Sequence, residues 1–158
     1  MDMIKALDLK NLVTVAVNDV FEKMMAMEVK PSEEAAKELR EGDRIVGSVS
    51  FAGEVNGNLC LQVSCDFARI MTAAMLGMGL DEVEGEEIKD VIGEVSNMIG
   101  GNLKSSFCDS GLSCSLSIPY ITTGKDFKID IKDWTRHERF LFCHDSQSIL
   151  VEVYMKGN

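Results

Sequence analysis

Hydrophobic residues recur at helical spacing over about 7–27, where Leu9, Leu12, Val13, Ala16, Val17, Val20, Phe21 and Met24 share one side of a helix at ~100° per residue. Asp8 stands where it can cap or open that helix. The charged stretch 30–42, beginning Pro31-Ser32-Glu33-Glu34, predicts a loop with at most a solvated helical turn. Two strands follow, over 44–52 and 54–64, with Val46, Val49, Phe51, Leu59, Leu61 and Val63 facing inward. Gly53 marks the turn between them, and Asn56-Gly57-Asn58 adds a bulge or shifts that turn. A helix over 66–76 has Ser64 or Asp66 near its start and Gly77 and Gly79 at its end.

The clearest pattern lies further on. Ile88, Val91, Ile92, Val95, Met98, Ile99 and Leu103 cluster on one side of a helix, while Asp90, Glu94 and Asn97 fall within roughly 60° of one another on the other. Gly101 and Lys104 extend this polar line. Gly93, Gly100 and Gly101 lie on or beside it, each costing up to ~1 kcal/mol of helix stability relative to Ala, and close approach of a partner is the expected reason. The acidic run Asp81-Glu82-Val83-Glu84-Gly85-Glu86-Glu87 reads as a solvated helix start favoured by the macrodipole rather than a metal site. The helix should end before Asp109-Ser110-Gly111. Further strands are predicted over 112–118, limited by Pro119, and over 127–131, 139–143 and 149–155. Helices and paired strands mix without regular βα alternation, so the class is α+β.

A chain of 158 residues that is 46% apolar suffices for one domain with a sizeable core. Its formal charge of −10 argues against nucleic acid or an anionic membrane as partner, and favours a cationic or mixed-charge protein patch. Five cysteines without a C-x-x-C pair read as small hydrophobes or bystanders in a reducing compartment. No signal-like segment or apolar run of membrane-spanning length is found, so the expectation is a cytoplasmic protein. The two histidines, His137 and His144, have no carboxylate or cysteine at zinc-ligand spacing, and no phosphate loop, dinucleotide signature or nucleophile elbow is present.

The Glu94/Asn97 pair therefore carries the functional question. Taken alone it is an ordinary solvated helix face. A carboxamide can, however, donate to and accept from one water simultaneously and so orient it for in-line attack, and a carboxylate one turn away can anchor a partner's lysine.

The stretch Asp90-Val-Ile-Gly-Glu94-Val-Ser-Asn97-Met-Ile-Gly-Gly-Asn102-Leu-Lys104, followed by Pro119, resembles the signature of the CheC/CheX/FliY phosphatases of bacterial chemotaxis. That signature is Asp or Ser, then E-x-x-N, then a proline some twenty residues later. A single E-x-x-N helix makes the chain most like CheX. Val20-Phe21-Glu22-Lys23-Met24, Gly57, Ala74-Met75-Leu76-Gly77 and Ser117-Ile118-Pro119 followed by Gly124 agree, so the resemblance spans nearly the whole chain.

The resemblance implies a CheC-like fold over residues 1–158, a mixed β-sheet with long helices packed across it. It implies a phosphatase acting on the aspartyl phosphate of a CheY-type response regulator, in chemotaxis or a related two-component pathway. Glu94 would pair with the regulator's lysine, and Asn97 would enter the regulator's active site and position the attacking water. Asp90 would support the helix or contact the partner, with Gly101 and Lys104 continuing the partner-binding face. Mg2+ would be supplied by the regulator, with no cofactor or metal site in this chain, and the protein would form a homodimer. The alternative is a non-catalytic CheC-like module that docks on a regulator or a flagellar-switch component. Asn11, Asn18 and Glu22 make a second polar stripe on the first helix, a possible trace of the family's internal duplication that lacks E-x-x-N and is assigned no catalysis.

Overall fold

The computed structural model describes residues 3–32, 42–125, 127, 129, 131–132 and 134–157. The amphipathic segments become helices α1 (Met3–Ala6), α2 (Leu9–Met25), α3 (Cys65–Leu76) and α4 (Gly85–Asp109). Strands β1 (Lys30–Pro31), β2 (Asp43–Gly53), β3 (Val55–Ser64), β4 (Cys114–Leu116), β5 (Tyr120–Lys125), β6 (Arg136–His144) and β7 (Gln147–Gly157) form one sheet. The order is β1-β6-β7-β3-β2-β4, with β5 pairing the other end of β2. The architecture is the α+β one expected, but each pairing among the described residues is antiparallel where a mixed sheet was anticipated. Two of these pairings, β2 with β3 and β6 with β7, are hairpins, which run antiparallel without a crossover.

Caps act where the sequence places them. Asp8 accepts from the Asn11 backbone N–H at the start of α2, Ser64 accepts from Phe67 at the start of α3, and Gly77 closes α3 in the left-handed region with φ 66°. At the start of α4 the Glu87 carboxylate accepts from the Glu84 backbone N–H at 2.9 Å, so part of the acidic run serves as a helix start. Arg69 donates from Nη1 to the Val83 carbonyl at 2.7 Å, fixing the connection that leads into α4.

The helices cover one face of the sheet. Val13, Val17 and Phe21 of α2, Phe67 and Met71 of α3, and Ile92, Ile99, Leu103 and Phe107 of α4 meet Ile45, Val49, Leu59, Leu61, Val63, Val151 and Val153 in a single core. Burying each of these large side chains contributes about 1.5–3 kcal/mol. Gly47 lets α4 sit directly on β2, because a Cβ there would fall 2.1 Å from Ser96 Oγ.

The inward phase of β2 is Ile45, Gly47, Val49 and Phe51, so Val46 is not inward with them as predicted. It lies on the opposite face with Cys60 and Tyr154, packed against Phe127, Ile129, Ile131 and Trp134. Of the strand predicted over 127–131, Phe127, Ile129 and Ile131 carry no strand assignment, and residues 128 and 130 lie outside the described residues. Conversely β5, which was not predicted, pairs with β2 from Ser48↔Tyr120 to Asp43↔Lys125. The strand predicted over 112–118 shrinks to β4. Of the loop predicted over 30–42, residues 30–31 pair with β6, and 33–41 lie outside the described residues.

The second face of the sheet also carries a polar network. Glu152 accepts from Gln62 Nε2 at 2.7 Å, Tyr154 OH at 2.9 Å and His137 Nε2 at 2.9 Å, while Arg44 donates to Gln62 Oε1 at 2.8 Å. Glu152 is 6% exposed, and a buried carboxylate is tolerated because it has these partners.

Candidate functional site

Helix α4 runs for 25 residues between α2 on one side and the β4–β5 edge on the other. On the α2 side, Asn102 Nδ2 donates to Asp19 Oδ2 at 3.4 Å, and Asp19 also pairs with Lys23 at 2.8 Å. That lysine holds the Asp19 carboxyl below the usual carboxylate range.

The edge side is organised by glycines. Around the helix Gly93 lies about 40° from Asn97 and Gly100 about 60° from it, both on the same side. A Cβ on residue 93 would stand 3.4 Å from Pro119 Cγ, and one on residue 100 would stand 2.7 Å from Val49 Cγ2 and 3.3 Å from Leu116 Cδ1. Gly93 and Gly100 are buried, so close approach is made by this chain's own strands and not, as expected from the sequence, by a partner. Gly101 differs: it is half-buried, and nothing lies within 4 Å of the Cβ it lacks.

Of the predicted site residues, Asp90 and Glu94 are exposed, while Asn97, Gly101 and Lys104 are half-buried. They share one stripe on one rigid element. Among the described residues no side-chain hydrogen bond or ion pair engages Asp90, Glu94, Asn97 or Lys104. Asn97 sits low, on the flank of α4 that meets the broken strand edge. Glu94 leans about 60° the other way. The arrangement offers a free carboxylate and a recessed free carboxamide three residues apart, both held by a helix whose other face is fully packed. A carboxylate so placed can take a cationic side chain, and a carboxamide can take a donor and an acceptor at once.

The other candidates have structural roles. His137 stacks on Tyr154 with ring centroids 4.1 Å apart, and His144 donates from Nδ1 to the Glu28 carbonyl at 2.7 Å. Cys60, Cys65, Cys108, Cys114 and Cys143 are all free thiols; Cys108 is exposed, and burial pushes Cys60, Cys65 and Cys114 up. Among the described residues no group of three or more His, Cys, Asp or Glu side chains is placed to hold a metal ion, and no helix is long and apolar enough to cross a membrane. The second polar stripe does not form one site: Asn11 lines a hollow between α2 and α4, whereas Asn18 and Glu22 line another with Ala26, Met27, Glu28 and Val29.

The edge strand carries a segment that the sequence offers as part of the resemblance without a role at the site. Between β4 and β5 the chain leaves β2 at Ser117-Ile118-Pro119. Ser117 fixes this break, donating its backbone N–H to Ser50 O at 2.9 Å, accepting the Ser50 N–H on Oγ at 2.9 Å, and donating from Oγ to Ile118 O at 2.9 Å. The available signal was a proline ending an apolar alternation.

With this geometry, comparison with known proteins is informative. Residues 45–143 match the sequence model of the family described as chemotaxis phosphatase CheX. The chain belongs to the CheX family. Its fold is shared with the chemotaxis protein CheX of Vibrio vulnificus, at a TM-score of 0.81 and 22% identity, covering 95% of this chain and 97% of that one. CheX of Desulfovibrio desulfuricans matches at 0.79 and 21% identity, covering 95% of this chain and 100% of that one. The CheX of Borrelia burgdorferi, solved in a complex with CheY, BeF3 and Mg2+, matches at 0.71 and 21% identity over 92% of this chain and 96% of that one. No curated protein matches the chain in sequence. The CheX match spans α4, so the stripe of Asp90, Glu94 and Asn97 lies inside the part of the chain that defines the family.

Proposed function

We propose that this CheX-family protein hydrolyses the aspartyl phosphate of a CheY-type response regulator, with Glu94 and Asn97 as its working residues. The observation that carries the reading is the free Glu94 carboxylate and free Asn97 carboxamide on one rigid helix face. Glu94 binds the regulator's lysine and sets the orientation of the complex. Asn97, recessed beside the strand edge, accepts one hydrogen of a water and donates to its oxygen, holding it in line with the phosphorus for displacement of the aspartate. Positioning is the main task in such a reaction, because the transferred phosphoryl group needs little covalent help.

Asp90, Gly101 and Lys104 continue the face that meets the regulator. Gly101 suits a contact surface, since the space its missing Cβ leaves is open. Mg2+ belongs to the regulator in this scheme, a reading supported by the Borrelia burgdorferi complex, which contains CheX, CheY, BeF3 and Mg2+ together. Residues 1–158 act as one CheX-like domain in the cytoplasm, as a homodimer. The non-catalytic docking reading is disfavoured because both Glu94 and Asn97 are present and unengaged. The test is the decay of a phosphorylated CheY-type regulator with and without the protein. Accelerated decay supports the phosphatase, and binding without acceleration replaces it with the docking module.

A further inference from the structure

Ile118 is the most exposed large hydrophobic side chain of the described residues, at 77%. A single exposed apolar residue needs no explanation in general. This one is unusual in how firmly it is presented. The three Ser117 hydrogen bonds lock the strand break just before it. Pro119, just after it, is held against Gly93 on α4, with Ile121 lying next to the same glycine. Ile118 is therefore pinned on both sides and kept in water, at the step between the broken edge and the helix that carries Glu94 and Asn97.

That step lies on the flank of α4 that carries Gly93. Asn97 is half-buried on the flank of α4 nearest Pro119, and it lies one turn beyond Gly93. A bulky partner that brings a reacting group to Asn97 from this flank passes over the step of Ser117, Ile118 and Pro119, because Pro119 lies against Gly93.

We propose that Ile118 is a docking residue for the response regulator: an apolar anchor, set in place by Ser117 and Pro119, that receives an apolar patch beside the regulator's phosphorylation site. The inference rests on the phosphatase reading for the identity of the partner. It extends the contact from the polar face of α4 onto the strand edge. Glu94 supplies the charged contact and Ile118 the desolvated one, and burying an isoleucine is worth enough to affect affinity strongly.

The experiment is a titration of the full chain with the same organism's CheY-type regulator carrying beryllofluoride and Mg2+, for wild type, Ile118→Asp and Ile118→Leu. Melting curves and oligomeric state are recorded for each variant. Ile118→Asp is expected to raise Kd about tenfold, equivalent to about 1.4 kcal/mol, with an unchanged melting curve. Ile118→Leu is expected to stay within about twofold of wild type. An unchanged Kd in Ile118→Asp overturns the proposal. So does a variant that alters the oligomeric state while regulator affinity is kept, since Ile118 would then lie between two copies of this chain. Failure of wild type to bind the regulator overturns it as well. Wild type that binds but does not hasten phosphate loss removes the phosphatase reading alone, because the Kd shift still decides the role of Ile118.

Discussion

Gly93 of α4 faces Pro119 of the strand edge at ordinary packing distance: a Cβ on residue 93 would lie 3.4 Å from Pro119 Cγ. Gly93 immediately precedes Glu94 and sits one turn before Asn97. The proline that ends the edge strand thus backs the helix at the point where it presents its free polar side chains.

Asn97→Ala should lower phosphatase turnover by about 10²-fold or more, the size of effect expected from removing one preorganised polar group at a reaction centre. The Asn97 side chain has no hydrogen-bond partner among the described residues, so thermal unfolding should be unchanged. Single-turnover decay of the phosphorylated regulator, read beside a melting curve, checks both halves. An unfolded Asn97→Ala protein would make the residue structural.

Glu94→Ala should weaken regulator binding as well as rate. The loss should be largest at low salt, since the screening length falls from ~30 Å at 0.01 M to ~8 Å at 0.15 M. Affinity measured across ionic strength should show the two proteins converging as salt rises. Parallel curves would mean that Glu94 carries no charge-dependent contact.

Two glycines of the same helix should respond with opposite signs. At Gly100 an added methyl would meet Val49 Cγ2 at 2.7 Å, so Gly100→Ala overpacks the core, at about 1–3 kcal/mol, and should destabilise despite the gain in helix propensity. At Gly93 the nearest atom would be 3.4 Å away, an ordinary contact. Gly93→Ala should therefore keep most of the propensity gain, about 0.5–1 kcal/mol of added stability. Urea unfolding of the two variants distinguishes them directly.

Tyr154 supplies a pH test. Burial first, and then the charge and hydrogen bond of Glu152, push its phenol well above the usual range. A raised folded-state pKa contributes stability that is fully present below the unfolded value of ~10 and is lost as pH rises through the folded value. In Tyr120→Phe, where Tyr154 is the remaining tyrosine, tyrosinate absorbance should stay absent well above pH ~10 and emerge with alkaline unfolding. A normal phenol titration in the folded protein would mean that the Glu152 network is open to water.

The long helices were legible because their apolar residues recur with a period that only a helix satisfies. The phase of β2 was harder to read. Its inward set contains Gly47, which interrupts the hydrophobic alternation and makes the adjacent Val46 read as inward. Strand β5 escaped notice because Thr122, Thr123 and Lys125 are exposed at an edge, leaving little alternation to detect. At the candidate site, the stripe of Asp90, Glu94 and Asn97 was readable from spacing alone. The reason for Gly100 was not: it answers to Val49 and Leu116, neighbours that only tertiary packing brings together, whereas Gly93 has room for a methyl beside Pro119. Gly101, half-buried on the same stripe, has nothing within 4 Å of its missing Cβ.

The most direct measurement of the central claim is phosphate release from a phosphorylated CheY-type regulator of the same organism, alone, with wild-type protein and with Asn97→Ala. Acceleration by wild type, reduced about 10²-fold in Asn97→Ala, is the predicted result. Equal acceleration by both proteins, or none by either while the regulator still binds, would contradict the assignment of Asn97 to the chemistry.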